Sequence, residues 1–113
     1  MQFTLGIEEE YQVIDPKTRE LVSHEQKIIQ EAEKVMANQA TPEMHEAMVE
    51  VGTKICTDIA DARKQVTFLR KSITEIADGL GFKIGAAGTH PFSQWANQPI
   101  TPKDRQLCFR SFF

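Results

Sequence analysis

One stretch near the start, Phe3-Thr4-Leu5-Gly6-Ile7-Glu8-Glu9-Glu10-Tyr11-Gln12-Val13-Ile14, sets the terms for everything after it. Its ends are apolar enough for a buried strand, yet its middle holds three consecutive carboxylates. Side chains alternate between the faces of a strand, so Phe3, Leu5, Ile7, Glu9, Tyr11 and Val13 share one side, read as the core face. Thr4, Gly6, Glu8, Glu10, Gln12 and Ile14 share the other. On that side Glu8 and Glu10 lie roughly 7 Å apart. Two like charges so placed repel and add nothing to the fold unless a positive group sits between them. A hard divalent cation, which prefers oxygen ligands, answers that need. On the pattern alone, a solvated acidic face is the simpler reading. Gly6 weighs the other way, because a glycine inside a strand points to close approach of a ligand or another backbone.

The chain has 113 residues, room for a single domain over 1–113 with a real core and no second one. Its hydrophobic fraction of 41% is ordinary for a globular protein. A net charge of −3, with no cluster of Lys and Arg, argues against binding nucleic acid. Cys56 and Cys108 stand far apart in no metal-binding spacing, which predicts reduced thiols in a cytoplasmic protein. Charges arrive within the first ten positions, unlike a signal peptide, and no apolar run is long enough to span a membrane.

Asp15-Pro16-Lys17-Thr18-Arg19-Glu20 predicts a turn, after which Leu21-Val22 pairs back on the first strand. Ser23 and Gln26 have capping-box spacing, and Ile28, Ile29, Ala32, Val35 and Met36 predict an amphipathic helix from about Ser23 to Ala37. Residues 43–56 read as a second strand. Alternation puts Glu43, His45, Ala47, Val49 and Val51 on one face, and Met44, Glu46, Met48, Glu50 and Gly52 on the other. Glu50, amid Val49, Val51 and Gly52, is costly to bury unless paired or metal-bound, and Glu46 shares its face. His45, a lone histidine, carries little weight as a ligand. Thr57 or Asp58 caps a longer helix with an apolar stripe of Ile59, Ala62, Val66, Leu69, Ile73, Ile76, Ala77 and Leu80, stopped by Gly79 or Gly81. Its charges, Arg70 among them, read as a solvated face. Residues 82–87 are the third core strand, running into Gly88-Thr89-His90-Pro91-Phe92, and Thr101-Pro102-Lys103-Asp104 resembles the start of a further helix.

Three segments together carry a family resemblance: Phe-Thr-Leu-Gly-Ile-Glu-Glu-Glu-Tyr-Gln-Val-Ile-Asp-Pro from Phe3, Glu-Ala-Met-Val-Glu-Val-Gly-Thr from Glu46, and Ala-Ala-Gly-Thr-His-Pro-Phe from Ala86. In this order and spacing, the chain to about Arg105 resembles the carboxylate–amine ligases of the glutamate–cysteine ligase family 2. The resemblance implies an α+β fold: part of a glutamine-synthetase-like, largely antiparallel sheet with two amphipathic helices. It implies a ligase that uses ATP and Mg2+ (or Mn2+) to join an amino acid's carboxylate to an amine through an acyl-phosphate. Glu8 and Glu10 match the family's metal-binding glutamates, and Glu50 an acidic ligand on the next core strand. Glu9, on the opposite face, is a secondary candidate; Thr53, Thr89 and His90 are expected near substrate or nucleotide.

Two departures qualify the expectation. Family members are several-fold longer, and the tail from Gln106, with three phenylalanines in its last five residues, does not resemble the family's continuation. Truncation is the most economical account of that tail, which predicts the N-terminal part of a longer catalytic domain, inactive in ligation alone. The competing reading is a non-catalytic remnant or self-associating module that covers its sheet edge or aromatic tail with a second copy.

Overall fold

The computed structural model describes residues 2–102. It is an α+β fold of four strands and two helices: β1 (Glu8–Ile14), α1 (Glu25–Met36), β2 (Ala40–Pro42), β3 (Met48–Gly52), α2 (Ile59–Gly79) and β4 (Lys83–Gly85). The sheet is antiparallel throughout, in the order β2-β3-β1-β4. The carboxylate-bearing strand is therefore central, and α2 carries the chain over it from β3 to β4. None of the described helices is long and apolar enough to cross a membrane.

Both helices cover one face of the sheet. Tyr11 and Val13 of β1 and Val49 and Val51 of β3 pack there with Ile28, Ala32 and Met36 of α1 and Leu69, Ile73 and Ala77 of α2. Fully burying one of the larger of these side chains contributes about 2 kcal/mol. The core face predicted for the first strand is confirmed at Tyr11 and Val13. It fails at Phe3 and Leu5, which are 80% and 40% exposed. The regular strand begins only at Glu8; before it, Leu5 makes an isolated bridge with Cys56 outside the helical layer. Nothing lies within 4 Å of a Cβ built on Gly6, so no neighbouring backbone explains that glycine.

The predicted turn after β1 forms as its residues require. Asp15 Oδ1 accepts the Lys17 and Thr18 amides at 2.7 and 2.9 Å, and the Val22 amide returns to the Val13 carbonyl at 3.0 Å. The capping box of α1 does not form. His24 holds the N-cap position with no side-chain bond, because its ring stacks on Phe82 with centroids 4.7 Å apart. Val35 of the predicted stripe is exposed. Helix α2 starts under Asp58, whose Oδ1 accepts the Asp61 amide at 2.7 Å, although Ile59 of its stripe is 66% exposed. Gly81, at φ 87°, takes the left-handed conformation that turns the chain into β4.

The predicted strand over 43–56 is corrected most. Ala40–Pro42 and Met48–Gly52 are separate antiparallel strands, and residues 43–47 reverse the chain between them. Distant backbone holds that reversal. Thr101 Oγ1 donates to the Glu43 carbonyl at 2.6 Å, the Thr101 amide to Met44 at 2.9 Å, and the Glu46 amide to Pro99 at 3.0 Å. The proposed helix beyond Pro102, Cys108 and the aromatic tail lie outside the described residues; Thr101 itself ties down this loop.

Candidate metal centre

The face of the sheet away from the helices carries the acidic residues. In the ladder between β1 and β3, Glu10 stands directly opposite Glu50, Glu8 opposite Gly52, and Gln12 opposite Met48. Thr41 of β2 pairs with Glu50 from the other side, so Glu43, two residues further on, follows on the same face. The carboxylate oxygens of Glu10, Glu43 and Glu50 all fall within 4.8 Å of one another; Glu10 is exposed and the other two are half-buried. A cation bound at 2.0–2.6 Å to each ligand oxygen spans such separations with little side-chain adjustment, and oxygen donors suit Mg2+, Mn2+ or Ca2+. The three residues present therefore fit a hard divalent ion.

The site expected from sequence paired Glu8 with Glu10 and Glu50. The structure brings Glu10 and Glu50 together with Glu43 as the third neighbouring carboxylate, and sets Glu8 outside that group. Glu8 is exposed one rung away, its Cγ lying 3.9 Å from where a Cβ on Gly52 would be. Alternation along one continuous strand would have kept Glu43 off the face of Glu50. The reversal at 43–47 brings it back. Pro42 was the signal available in the sequence, since proline is confined to strand edges and ends. Glu46, expected beside Glu50, instead lies near Glu25 at the start of α1.

Glu9 faces the helices, as alternation required, and is held there. Its carboxylate accepts from Arg70 Nε at 3.1 and 3.0 Å, from Arg70 Nη2, and from the Tyr11 hydroxyl. The Arg70 bond holds the Glu9 carboxyl below its ordinary range, the Tyr11 bond adding to it against some desolvation. Burial, followed by the bond to Glu9, pushes the Tyr11 phenol up to about 12. Arg70 is thus no part of a merely solvated face. These three groups border an open cleft of about 650 Å³ between β1 and Ala86–Gly88.

Thr53 is structural in this fold. Its Oγ1 accepts the Ile7 amide at 3.0 Å while its own amide donates to the Ile7 carbonyl at 2.9 Å, tying the approach to β1 against the end of β3. The buried Cys56 thiol lies 3.5 Å from the same oxygen. His90 organises the loop after β4. Its Nδ1 accepts the Phe92 and Ser93 amides at 3.3 and 2.9 Å, and Nε2 sits 2.8 Å from the Arg19 carbonyl. Two N–H donors on Nδ1 assign the proton to Nε2, leaving neither nitrogen for a metal. Thr89 is exposed beside it on the rim of a second cleft.

Comparison with known proteins adds a separate line of evidence. The sequence model of glutamate–cysteine ligase family 2 matches residues 4–107. Proteins provisionally named glutamate–cysteine ligase 2 are similar over most of the chain. That of Herpetosiphon aurantiacus is 50% identical over 103 residues, 91% of this chain and 27% of the relative. That of Chloroflexus aurantiacus is 50% identical over 103 residues, 91% of this chain and 26% of its own length. That of Sorangium cellulosum is 46% identical over 109 residues, 95% of this chain and 29% of its own length. The chain spans about a quarter of the length of the curated relatives it matches.

Proposed function

The chain belongs to the glutamate–cysteine ligase family 2, and on that premise we propose that it carries the metal-holding part of an ATP-dependent carboxylate–amine ligase. The observation that carries this reading is the meeting of Glu10, Glu43 and Glu50 on the open face of the sheet. Carboxylates on neighbouring strands form a stiff cradle, and two of these three, Glu10 and Glu50, stand opposite each other in one ladder.

In such a ligase a bound Mg2+ or Mn2+ would neutralise charge developing on transferring phosphate oxygens. The residues of this chain would hold that ion on one side and leave the other open to the nucleotide. The carboxylate donor in this reading is an amino acid of the glutamate type, activated as an acyl-phosphate before amide formation. We assign residues 1–113 to the N-terminal part of the catalytic domain, and the chain alone to metal binding without ligation.

Calorimetric titration with Mn2+ tests the proposal. One saturable site is expected in the unmodified chain and none in Glu50→Gln of unchanged fold. Heats no larger than dilution for the unmodified chain would sink the metal reading. ADP release on incubation with ATP, Mg2+, glutamate and cysteine would overturn the assignment as an incomplete catalytic unit.

A further inference from the structure

Two of the three clustered carboxylates stand on regular strands, Glu10 on β1 and Glu50 on β3. Glu43 stands just past the end of β2, in the reversal at 43–47. A carboxylate carried on such a segment stays beside two others, against their repulsion, only where the segment itself is held in place.

That hold comes from residues 99–101. Thr101 Oγ1 donates to the Glu43 carbonyl at 2.6 Å, and the Thr101 amide to the Met44 carbonyl at 2.9 Å. Ile100 makes an antiparallel bridge with His45, and the Pro99 carbonyl accepts the Glu46 amide at 3.0 Å. Three consecutive residues thus meet the whole of Glu43–Glu46. The Glu25 amide adds a longer bond, 3.3 Å, to the Glu46 carbonyl. Thr101 is 4% exposed, so its hydroxyl is withdrawn from water and spent on the Glu43 main chain. A buried donor on that carbonyl fixes the backbone from which the Glu43 side chain departs. The loop that ends here is also tied near its start. Ser93 Oγ accepts the Leu21 amide at 3.1 Å, and His90 Nε2 lies 2.8 Å from the Arg19 carbonyl. Residues 88–101 therefore form a strap over Gln12 and Met48 on the open face, pinned to the turn after β1 and to Glu43.

We propose that Thr101 is a positioning residue for the acidic centre: it sets Glu43 against Glu10 and Glu50, and couples that centre to the strap. The use of this placement to bind an ion rests on the metal reading above; the clamp on Glu43 does not. Such coupling is reciprocal. Where docking of 99–101 strengthens ion binding, a bound ion tightens 99–101 by the same factor.

Thr101→Val deletes the hydroxyl at nearly constant shape, and Thr101→Ser restores it. In metal-free buffer, hydrogen exchange at the Glu46 and Thr101 amides should quicken about tenfold in Thr101→Val, as loss of one hydrogen bond gives, and stay near the parent rate in Thr101→Ser. Calorimetric titration should show Mn2+ bound about tenfold more weakly by Thr101→Val, the low end of what losing a residue behind a metal ligand costs. Thr101→Ser should bind as the unmodified chain does. So should Asp58→Ala, which removes the N-cap bond of α2 and lowers stability away from the reversal. In the unmodified chain, saturating Mg2+ should slow exchange at Glu46 and Thr101 and leave the Asp61 amide unchanged; this arm holds even if Thr101→Val fails to fold. Unchanged exchange in Thr101→Val, Mn2+ affinity equal to the parent's, or an equal loss of affinity in Asp58→Ala would overturn the proposal. Faster exchange in Thr101→Val with no Mn2+ binding by the unmodified chain would leave the clamp standing and remove the metal reading alone.

Discussion

Glu10 and Glu50 face each other across the central pair of strands, in direct register on the side the helices leave open. Opposed like charges weaken a sheet unless something bridges them. Glu43 joins them from the end of β2 and makes the concentration of charge greater still.

A stability signature follows from that relationship. In metal-free buffer Glu10→Gln, at the exposed member of the trio, is expected to unfold above the unmodified chain by a few degrees, as relief of about 0.5 kcal/mol would give. Adding Mn2+ should reverse the order, because only the unmodified chain gains by binding. Thermal melts with chelator and with metal check both halves.

Arg70 bonds Glu9 from α2, and Glu9 bonds Tyr11 within β1. Arg70→Met should lower the urea midpoint only slightly, since the guanidinium is largely exposed and solvent screens the pair. Glu9 has a lowered folded pKa, so its contribution is present above the ordinary value of 4.5 and is lost as pH falls through the lowered one. The gap between variant and parent should therefore hold at neutral pH and close in acid. Tyr11 has the opposite sign: its raised value of about 12 favours the fold below its ordinary 10.0, and that contribution fades as pH rises between the two.

Glu25 is 1% exposed at the start of α1, with Oε1 lacking a partner among the described residues. Burial raises its pKa above the ordinary 4.5; backbone donors at the helix start oppose this, and nearby Glu46 adds to it. The native state then binds a proton more readily than the unfolded chain, which favours folding below 4.5 and loses that advantage as pH rises. Glu25→Gln should accordingly stabilise the chain at neutral pH by about 1 kcal/mol. The gain should vanish in acid. Unfolding free energies measured across the acid range provide the check.

His90 satisfies two loop amides and one carbonyl at once. His90→Ala leaves these groups, two of them exposed, to find water, and about 1 kcal/mol should be lost in denaturant unfolding. Amide hydrogen exchange should show the loss concentrated at Phe92 and Ser93.

Much of the architecture was legible because it rests on local pattern. The 3.6-residue spacing of Ile28, Ala32 and Met36, and of Leu69, Ile73 and Ala77, located both helices and their buried sides. Alternation placed Tyr11 and Val13 inward and separated Glu9 from Glu10. What escaped depends on partners far along the chain. The reversal at 43–47 is held by Pro99 and Thr101, and no window around Glu43 reveals them. Arg70 looked solvated within its own helix, because the residue that binds it is 61 positions away.

The choice between Glu8 and Glu43 is the sharpest point of difference between alternation in a single strand and the folded hairpin. Electron paramagnetic resonance of Mn2+ titrated into the unmodified chain, Glu8→Gln and Glu43→Gln resolves it by counting bound ions. Stoichiometric binding in the first two and its loss in Glu43→Gln is the expected result. Undiminished binding in Glu43→Gln, or no binding in the unmodified chain, would contradict a metal centre built from Glu10, Glu43 and Glu50.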